Sequence, residues 1–232
     1  MDKSKSIGDM ERHHQPMTNI ILVRHGQTAW NRVERFRGHA DIPLDETGLR
    51  QTQATANRIA AQWEIVAIYA GPLLRTIKVA EATAQLFNLT VQVEDGLIDV
   101  DCGLWQGLTL NEVQQGWPAE FQSYLYSPGD FSFPGGESLE AARLRAMKHV
   151  EDLIAYHPGQ TIMLVNHTAL NRLILLSVLG LDSSGFWKIR QDTCAINAFE
   201  VKNGLFTLNL LNETSHLIAL SGERTPSTSR TV

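Results

Sequence analysis

An arginine, a histidine and a glycine stand together at Arg24-His25-Gly26, directly after the aliphatic run Ile20-Ile21-Leu22-Val23. An imidazole can act as a nucleophile or move a proton near neutral pH, and a guanidinium grips a pair of phosphate or carboxylate oxygens. Gln27, Thr28 and Asn31 add polar side chains to the same corner. A second histidine follows another apolar run, at Asn166-His167 after Thr161 to Val165. A second arginine, Arg75, comes soon after a third run and Gly71-Pro72. Two guanidiniums and two imidazoles, each just past a strand-like segment, suit the capture of an anion and attack upon it. An Arg-His-Gly triplet alone would equally describe a solvated strand end with a turn glycine. The three strand ends together carry the argument.

The elements that must position these residues alternate. Residues 20–23 read as a short strand buried on both faces. A polar loop over 32–46 leads to a helix capped by Thr47 and running to about Gln62. Residues 65–70 form a strand, and Gly71-Pro72 opens the next helix, proline being tolerated in a first turn. A short strand over 90–93 and an ordered loop over 95–108 follow. Residues 110–126 hold one or two helices interrupted at Gly116-Trp117-Pro118, and 128–136 form a Pro- and Gly-rich loop. Ser138 caps a long helix to about Tyr156, with Arg143 and Arg145 on its solvent face. A strand over 161–165, a helix over 168–179 and two strands over 194–201 and 205–211 complete the chain. The last two are joined by the hairpin signal Lys202-Asn203-Gly204.

This alternation predicts an α/β fold: a single-domain three-layer sandwich over residues 18–220, mostly parallel, with helices on both faces and an antiparallel edge strand. Residues 1–17 and 221–232 read as disordered tails, and the His13-His14 pair in the first reads as solvated rather than metal-binding. In a parallel sheet the three ends open on one side, where ligands bind, and helix N-termini add partial positive charge there.

The 232 residues carry a formal charge of −5, with 43% hydrophobic and 19% charged side chains. That balance suits a globular enzyme and argues against a nucleic-acid binder, which needs a basic face. The two cysteines, Cys102 and Cys194, show no metal spacing and read as free thiols of a cytoplasmic protein. The first residues lack the apolar core of a secretion signal, and the most apolar stretch, 173–181, is too short to span a bilayer. No membrane partner is expected.

The segment Leu22-Val23-Arg24-His25-Gly26-Gln27-Thr28-Ala29-Trp30-Asn31 resembles the Arg-His-Gly signature of the histidine phosphatase superfamily, in its phosphoglycerate mutase-like branch. The resemblance continues at Gly38-His39-Ala40-Asp41-Ile42-Pro43-Leu44, Thr47-Gly48-Leu49 and Gly71-Pro72-Leu73-Leu74-Arg75-Thr76. It runs on through Gly103-Leu104-Trp105-Gln106-Gly107-Leu108 and Pro134-Gly135-Gly136-Glu137-Ser138 to Val165-Asn166-His167. The ordered set is specific where each piece is weak.

The resemblance implies a metal-independent phosphatase, with no cofactor, that hydrolyses a small phosphomonoester through a phosphohistidine on His25. Arg24, Arg75 and His167 would hold the non-bridging oxygens. Asp99 would be the general acid, in a position where the family has Glu, with Asp101 its local competitor. Gln27, Thr28, Asn31, Arg37, Gly38, Glu137 and Thr168 complete the expected substrate contacts. Glu137 could instead only charge a helix N-terminus. Gly71, Asn166 and Thr168-Ala169 depart from the family's usual residues. Phosphoglycerate mutase chemistry and a non-catalytic phosphate-binding module are the alternatives, with a phosphohistidine protein phosphatase further off. The modest insertion over 110–133 favours hydrolysis of a small phosphorylated metabolite under a lid. The sequence leaves the oligomeric state open, a homodimer included.

Overall fold

The computed structural model describes residues 16–220; the expected tails, residues 16 and 17 excepted, and the His13-His14 pair lie outside the described residues. Its strands are β1 (Thr18–Arg24), β2 (Ala67–Ala70), β3 (Val91–Val93), β4 (Thr161–Asn166), β5 (Ile196–Lys202) and β6 (Leu205–Glu213). Its helices are α1 (Ala29–Arg32), α2 (Glu46–Ala60), α3 (Leu74–Phe87), α4 (Leu110–Gly116), α5 (Pro118–Tyr126), α6 (Leu139–Tyr156) and α7 (Thr168–Val178). One six-stranded sheet runs in the order β3-β2-β4-β1-β5-β6. The first four are parallel, and β5 and β6 add by antiparallel pairing.

Side chains alternate across a strand, so β1 feeds two cores at once. Ile20 and Leu22 join the helices α6 and α7, while Ile21 and Val23 join α2 and α3. This is the three-layer arrangement that near-continuous aliphatic strands require. A satellite of the first core lies under α4 and α5. There Trp105, fully buried, meets Phe36, Tyr124, Phe131 and Phe133 at centroid distances of 5.0–5.7 Å. The insertion is thus packed onto the body through aromatic contacts.

The register matters most. Arg24 pairs with Asn166 and Val23 with Val165, so the next residue of each strand, His25 and His167, emerges side by side. Ala70, ending β2, pairs with Val165 in turn.

Several boundaries differ from expectation. Asp45, not Thr47, caps α2, because its Oδ1 reaches the Gly48 N–H at 2.8 Å. Pro72 stands before α3, whose first residue is Leu74. The 32–46 loop is preceded by a helical turn, α1, closed by a reciprocal cap between Thr28 and Asn31. The loop also buries Phe36 and Arg37. Both cysteines are free and buried. Among the described residues no helix is long and apolar enough to cross a membrane.

Candidate active site

The carboxyl ends of β1, β2 and β4 converge on a buried corner. His25 is fully buried. Its Nδ1 lies 2.7 Å from Gly26 O, so Nδ1 donates and Nε2 keeps its lone pair. That Nε2 has no partner within the protein. Burial, then the charges of Arg75, Arg24 and Arg37, hold the imidazole well below its ordinary pKa, hence neutral. His167 is the complement. Its Nδ1 accepts from Arg75 Nε at 3.2 Å, which places its proton on Nε2, again without a partner. The rings are 5.4 Å apart, one offering a lone pair and the other a proton.

Arg24 anchors one nitrogen, Nη1, on Gln191 O at 2.6 Å; its Nε and Nη2 are buried and unbonded. Burial and the neighbouring Arg37 and Arg172 lower its pKa to about 9, so it stays charged at neutral pH. Thr168 Oγ1, at the start of α7, and Asn31 Nδ2 are likewise buried without partners. Each such atom costs about 1–3 kcal/mol when buried unsatisfied. A cluster of them at strand and helix ends marks a place built to bind a polar group.

Arg75 has its partners within the protein. It donates to Ala40 O at 2.7 Å, to Gly38 O at 3.0 Å and to Asp99 Oδ2 at 3.2 Å. It ties the 38–40 loop to the acid-bearing segment and orients His167. Asp99 is 6% exposed. Its Oδ1 accepts from Val100 N–H at 3.0 Å, and its Oδ2 lies 3.5 Å from His167 Nδ1. Burial would raise its carboxyl, but the guanidiniums of Arg75 and Arg37, with the Val100 N–H, outweigh that and hold it below the usual carboxylate range. Asp101 turns away to accept the Gly103 N–H at 2.9 Å.

The departures have local reasons. A Cβ on Gly71 would lie 2.4 Å from Leu97 O, so a side chain there would displace the segment that brings in Asp99. With its amide nitrogen turned to the carbonyls, Asn166 donates to Leu97 O at 3.2 Å. Both residues fit the approach of that segment to the strand ends.

Other expected contacts serve the scaffold. Gln27 Nε2 donates to Asp45 at 3.0 Å, and Thr28 caps α1. Gly48 lets α2 abut the signature loop, since a Cβ there would meet Gln27 O at 2.1 Å. Gly38 supplies a carbonyl to Arg75. Arg37 is buried beside Asp99. Glu137 is bound in bidentate fashion by Arg145, at 3.0 and 2.8 Å.

Three arginines depart from the sequence reading. Arg143 is half-buried, its Nη1 donating to Ser177 Oγ on α7 at 2.9 Å. Arg145 is not on the solvent face: it turns toward the 96–99 segment. It adjoins the buried Ala142 at i−3 and His149 at i+4 on the helix surface, a border position that the spacing contained. Arg172, which the sequence reading passed over, lies buried in the apolar helix α7, its guanidinium over the rings of Phe186 and Trp187 at 5.1 and 4.9 Å. Its Nε donates to Ile189 O at 2.8 Å. A lone charge in an apolar helix was the available signal.

The geometry agrees with comparisons against known proteins. Residues 20–214 match the model of the histidine phosphatase superfamily, branch 1. Phosphoserine phosphatase 1 of Hydrogenobacter thermophilus is 33% identical over 201 residues, 87% of this chain and 95% of that protein. A probable phosphoglycerate mutase, GpmB of Proteus mirabilis, is 30% identical, covering 83% of this chain and 89% of its own. The crystal structure of a mutant phosphoserine phosphatase from Entamoeba histolytica in complex with phosphoserine superposes with a TM-score of 0.77. It is 26% identical and covers 87% of this chain and all of its own. The chain belongs to the histidine phosphatase superfamily, branch 1. Within that class it is a phosphatase, a hydrolase of phosphoric monoesters.

The buried histidines give the site a pH signature. In the unfolded chain each takes a proton from about pH 6.5 downward, while the folded chain resists it. Their stabilising contribution is therefore complete above about pH 6.5 and is lost as pH falls toward their folded values. The slope is up to about 1.4 kcal/mol per pH unit for each histidine. Urea unfolding of wild type and His167→Asn between about pH 7.5 and 5.5 checks this: the variant should lose stability less steeply. Parallel lines would refute the neutral assignment.

Proposed function

We propose that the chain hydrolyses a small phosphomonoester bearing a carboxylate, with phosphoserine foremost, through a phosphohistidine on His25. The observation that carries the reading is the unpaired, buried His25 Nε2 opposite the unpaired His167 Nε2. Nε2 of His25 attacks phosphorus, and the ester P–O bond breaks. Arg24 Nε and Nη2, the His167 Nε2 proton, Thr168 Oγ1 and Asn31 Nδ2 donate to the non-bridging oxygens. Asp99, protonated in the substrate complex, gives its proton to the leaving alkoxide. Water then attacks the phosphohistidine and loses a proton to Asp99, and the P–N bond breaks to restore the imidazole and release phosphate. The contacts of Asp99 with Arg75 and His167 favour it over Asp101 for this role.

Arg172 supports the carboxylate. It is a further buried cation, close enough to Arg24 and Arg37 for their charges to act on one another. Burial is the main cause of its lowered pKa of about 10. The phosphoserine relatives point the same way.

Phosphate release in EDTA from phosphoserine and from phosphoethanolamine tests the reading, since the two differ by the carboxylate. One charge-assisted contact is worth about 1.5–3 kcal/mol, so phosphoserine should lead by about tenfold or more in kcat/KM. Equal rates would remove the carboxylate. Phosphoryl exchange between phosphoglycerates without phosphate release would make the chain a mutase, the reading that its GpmB relative favours.

A further inference from the structure

Asp99 has one methylene between backbone and carboxyl, so the position of its carboxyl follows closely from the position of its backbone. That backbone belongs to no strand or α-helix: residues 95–97 form a single tight turn, and 98–99 run on without regular pairing. Side chains hold it instead. Gly96 O accepts from Arg145 Nη1 at 2.7 Å and Ile98 O accepts from the same nitrogen at 3.1 Å. Leu97 O takes the Asn166 amide at 3.2 Å. Asp99 O lies 2.9 Å from His39 Nε2 and accepts from Arg145 Nη2 at 3.5 Å.

Arg145 therefore touches three of the four carbonyls leading to the acid. Its Nε and Nη2 also hold Glu137, at 3.0 and 2.8 Å. All five N–H groups of the guanidinium have an acceptor, which fixes its plane. Glu137 is itself tied to the far side of the same loop, its N–H donating to Asp101 O at 3.0 Å. Arg145 projects from α6, a helix of 18 residues whose buried face is packed in the main core. The pair thus transmits the position of a rigid element to a segment that lacks its own.

We propose that Arg145 is a positioning residue for general-acid catalysis, with Glu137 as the counter-charge that orients it. The proposal rests on the reading of Asp99 as the acid. It assigns these two residues to proton delivery, although neither contacts Asp99's carboxyl or either histidine. A shift of the segment by a fraction of an ångström would leave phosphate capture by Arg24 and His167 untouched while misplacing the proton.

The leaving group tests this. An aryl phosphate expels a phenolate that needs no proton, whereas an alkyl phosphate expels an alkoxide that does. Arg145→Met should lower kcat for phosphoserine by about tenfold to a hundredfold, keep kcat for an aryl phosphate within about threefold, and leave both KM values nearly unchanged. Arg145→Lys keeps the charge but not the fork, and should fall between the two. It also serves as the working variant should the methionine protein fail to fold by thermal melting. In an Asp99→Asn background, Arg145→Met should add less than about twofold, because the group it positions is gone. Equal losses on both substrates, or additive losses in the double variant, would overturn the proposal and leave Arg145 a structural residue. If Asp99→Asn itself loses no more turnover on the alkyl than on the aryl substrate, the acid assignment falls first, whatever Arg145 does.

Discussion

Replacing His25 with alanine is expected to lower kcat by about four orders of magnitude or more, with no acid-labile phosphoprotein left to trap. The size follows from what is removed. Loss of a nucleophile in a concerted set of catalytic groups costs far more than loss of one binding contact. His25 is the imidazole at this corner whose lone pair is both buried and unpaired. His167 cannot replace it, because its Nδ1 is committed to Arg75 and its Nε2 carries the proton. Binding should survive: Arg24 keeps its anchor on Gln191 O, and Arg75 keeps its carbonyls. The variant should therefore bind inorganic phosphate within about tenfold of wild type while failing to turn over. Quench-flow with radiolabelled substrate and calorimetric phosphate titration measure the two halves. A variant that retained turnover within about tenfold would mean that phosphorus is attacked by something else, water included.

The reach of sequence reasoning can be seen by comparing these residues. His25 and His167 were legible because a strand's end is a property of the apolar run before it, and parallel pairing then brings equivalent ends together. The register Arg24 to Asn166 needed only two runs of similar length. What the runs do not encode is which way a long side chain turns. Arg75 is expected from the motif on phosphate oxygens, yet most of its donors face the Gly38 and Ala40 carbonyls, Asp99 and His167. Thr47 and Asp45 are both good caps, and only the chain's path decides which reaches Gly48. Arg145 escaped for a related reason: a flexible residue beside an apolar stripe can lie over the core edge or point to water, and the choice depends on the distant carbonyls of Gly96 and Ile98. Asp99 was found by its place in a motif, but the arginine that holds its backbone belongs to no motif of its own.

Asp99→Asn should separate the two half-reactions most cleanly. Asparagine matches the carboxyl in shape, and its Oδ1 can still accept the Val100 N–H, but it cannot hold or release a proton. Turnover of phosphoserine should fall by about 10²- to 10⁴-fold, the range of general-acid catalysis, and turnover of an aryl phosphate far less. The carboxyl also has to change state. Arg75 and Arg37 keep it ionised before substrate arrives, yet an acid must be protonated when the ester bond breaks. The phosphate resolves this conflict. Its negative charge beside Asp99 disfavours the carboxylate. Proton uptake should therefore accompany binding. A phosphomonoester has its second pKa near about 6, so below that the monoanion brings the proton with it and net uptake is small. Near about pH 7.5 the dianion binds, and up to one proton must come from solvent. Titrating phosphoserine into His25→Ala, which binds without turnover, in two buffers of different ionisation enthalpy measures that number. Uptake that rises from about pH 5.5 to 7.5, and vanishes when Asp99→Asn is added, would place the proton on Asp99. Uptake that persists in the double variant would place it on His167 and make that imidazole the acid.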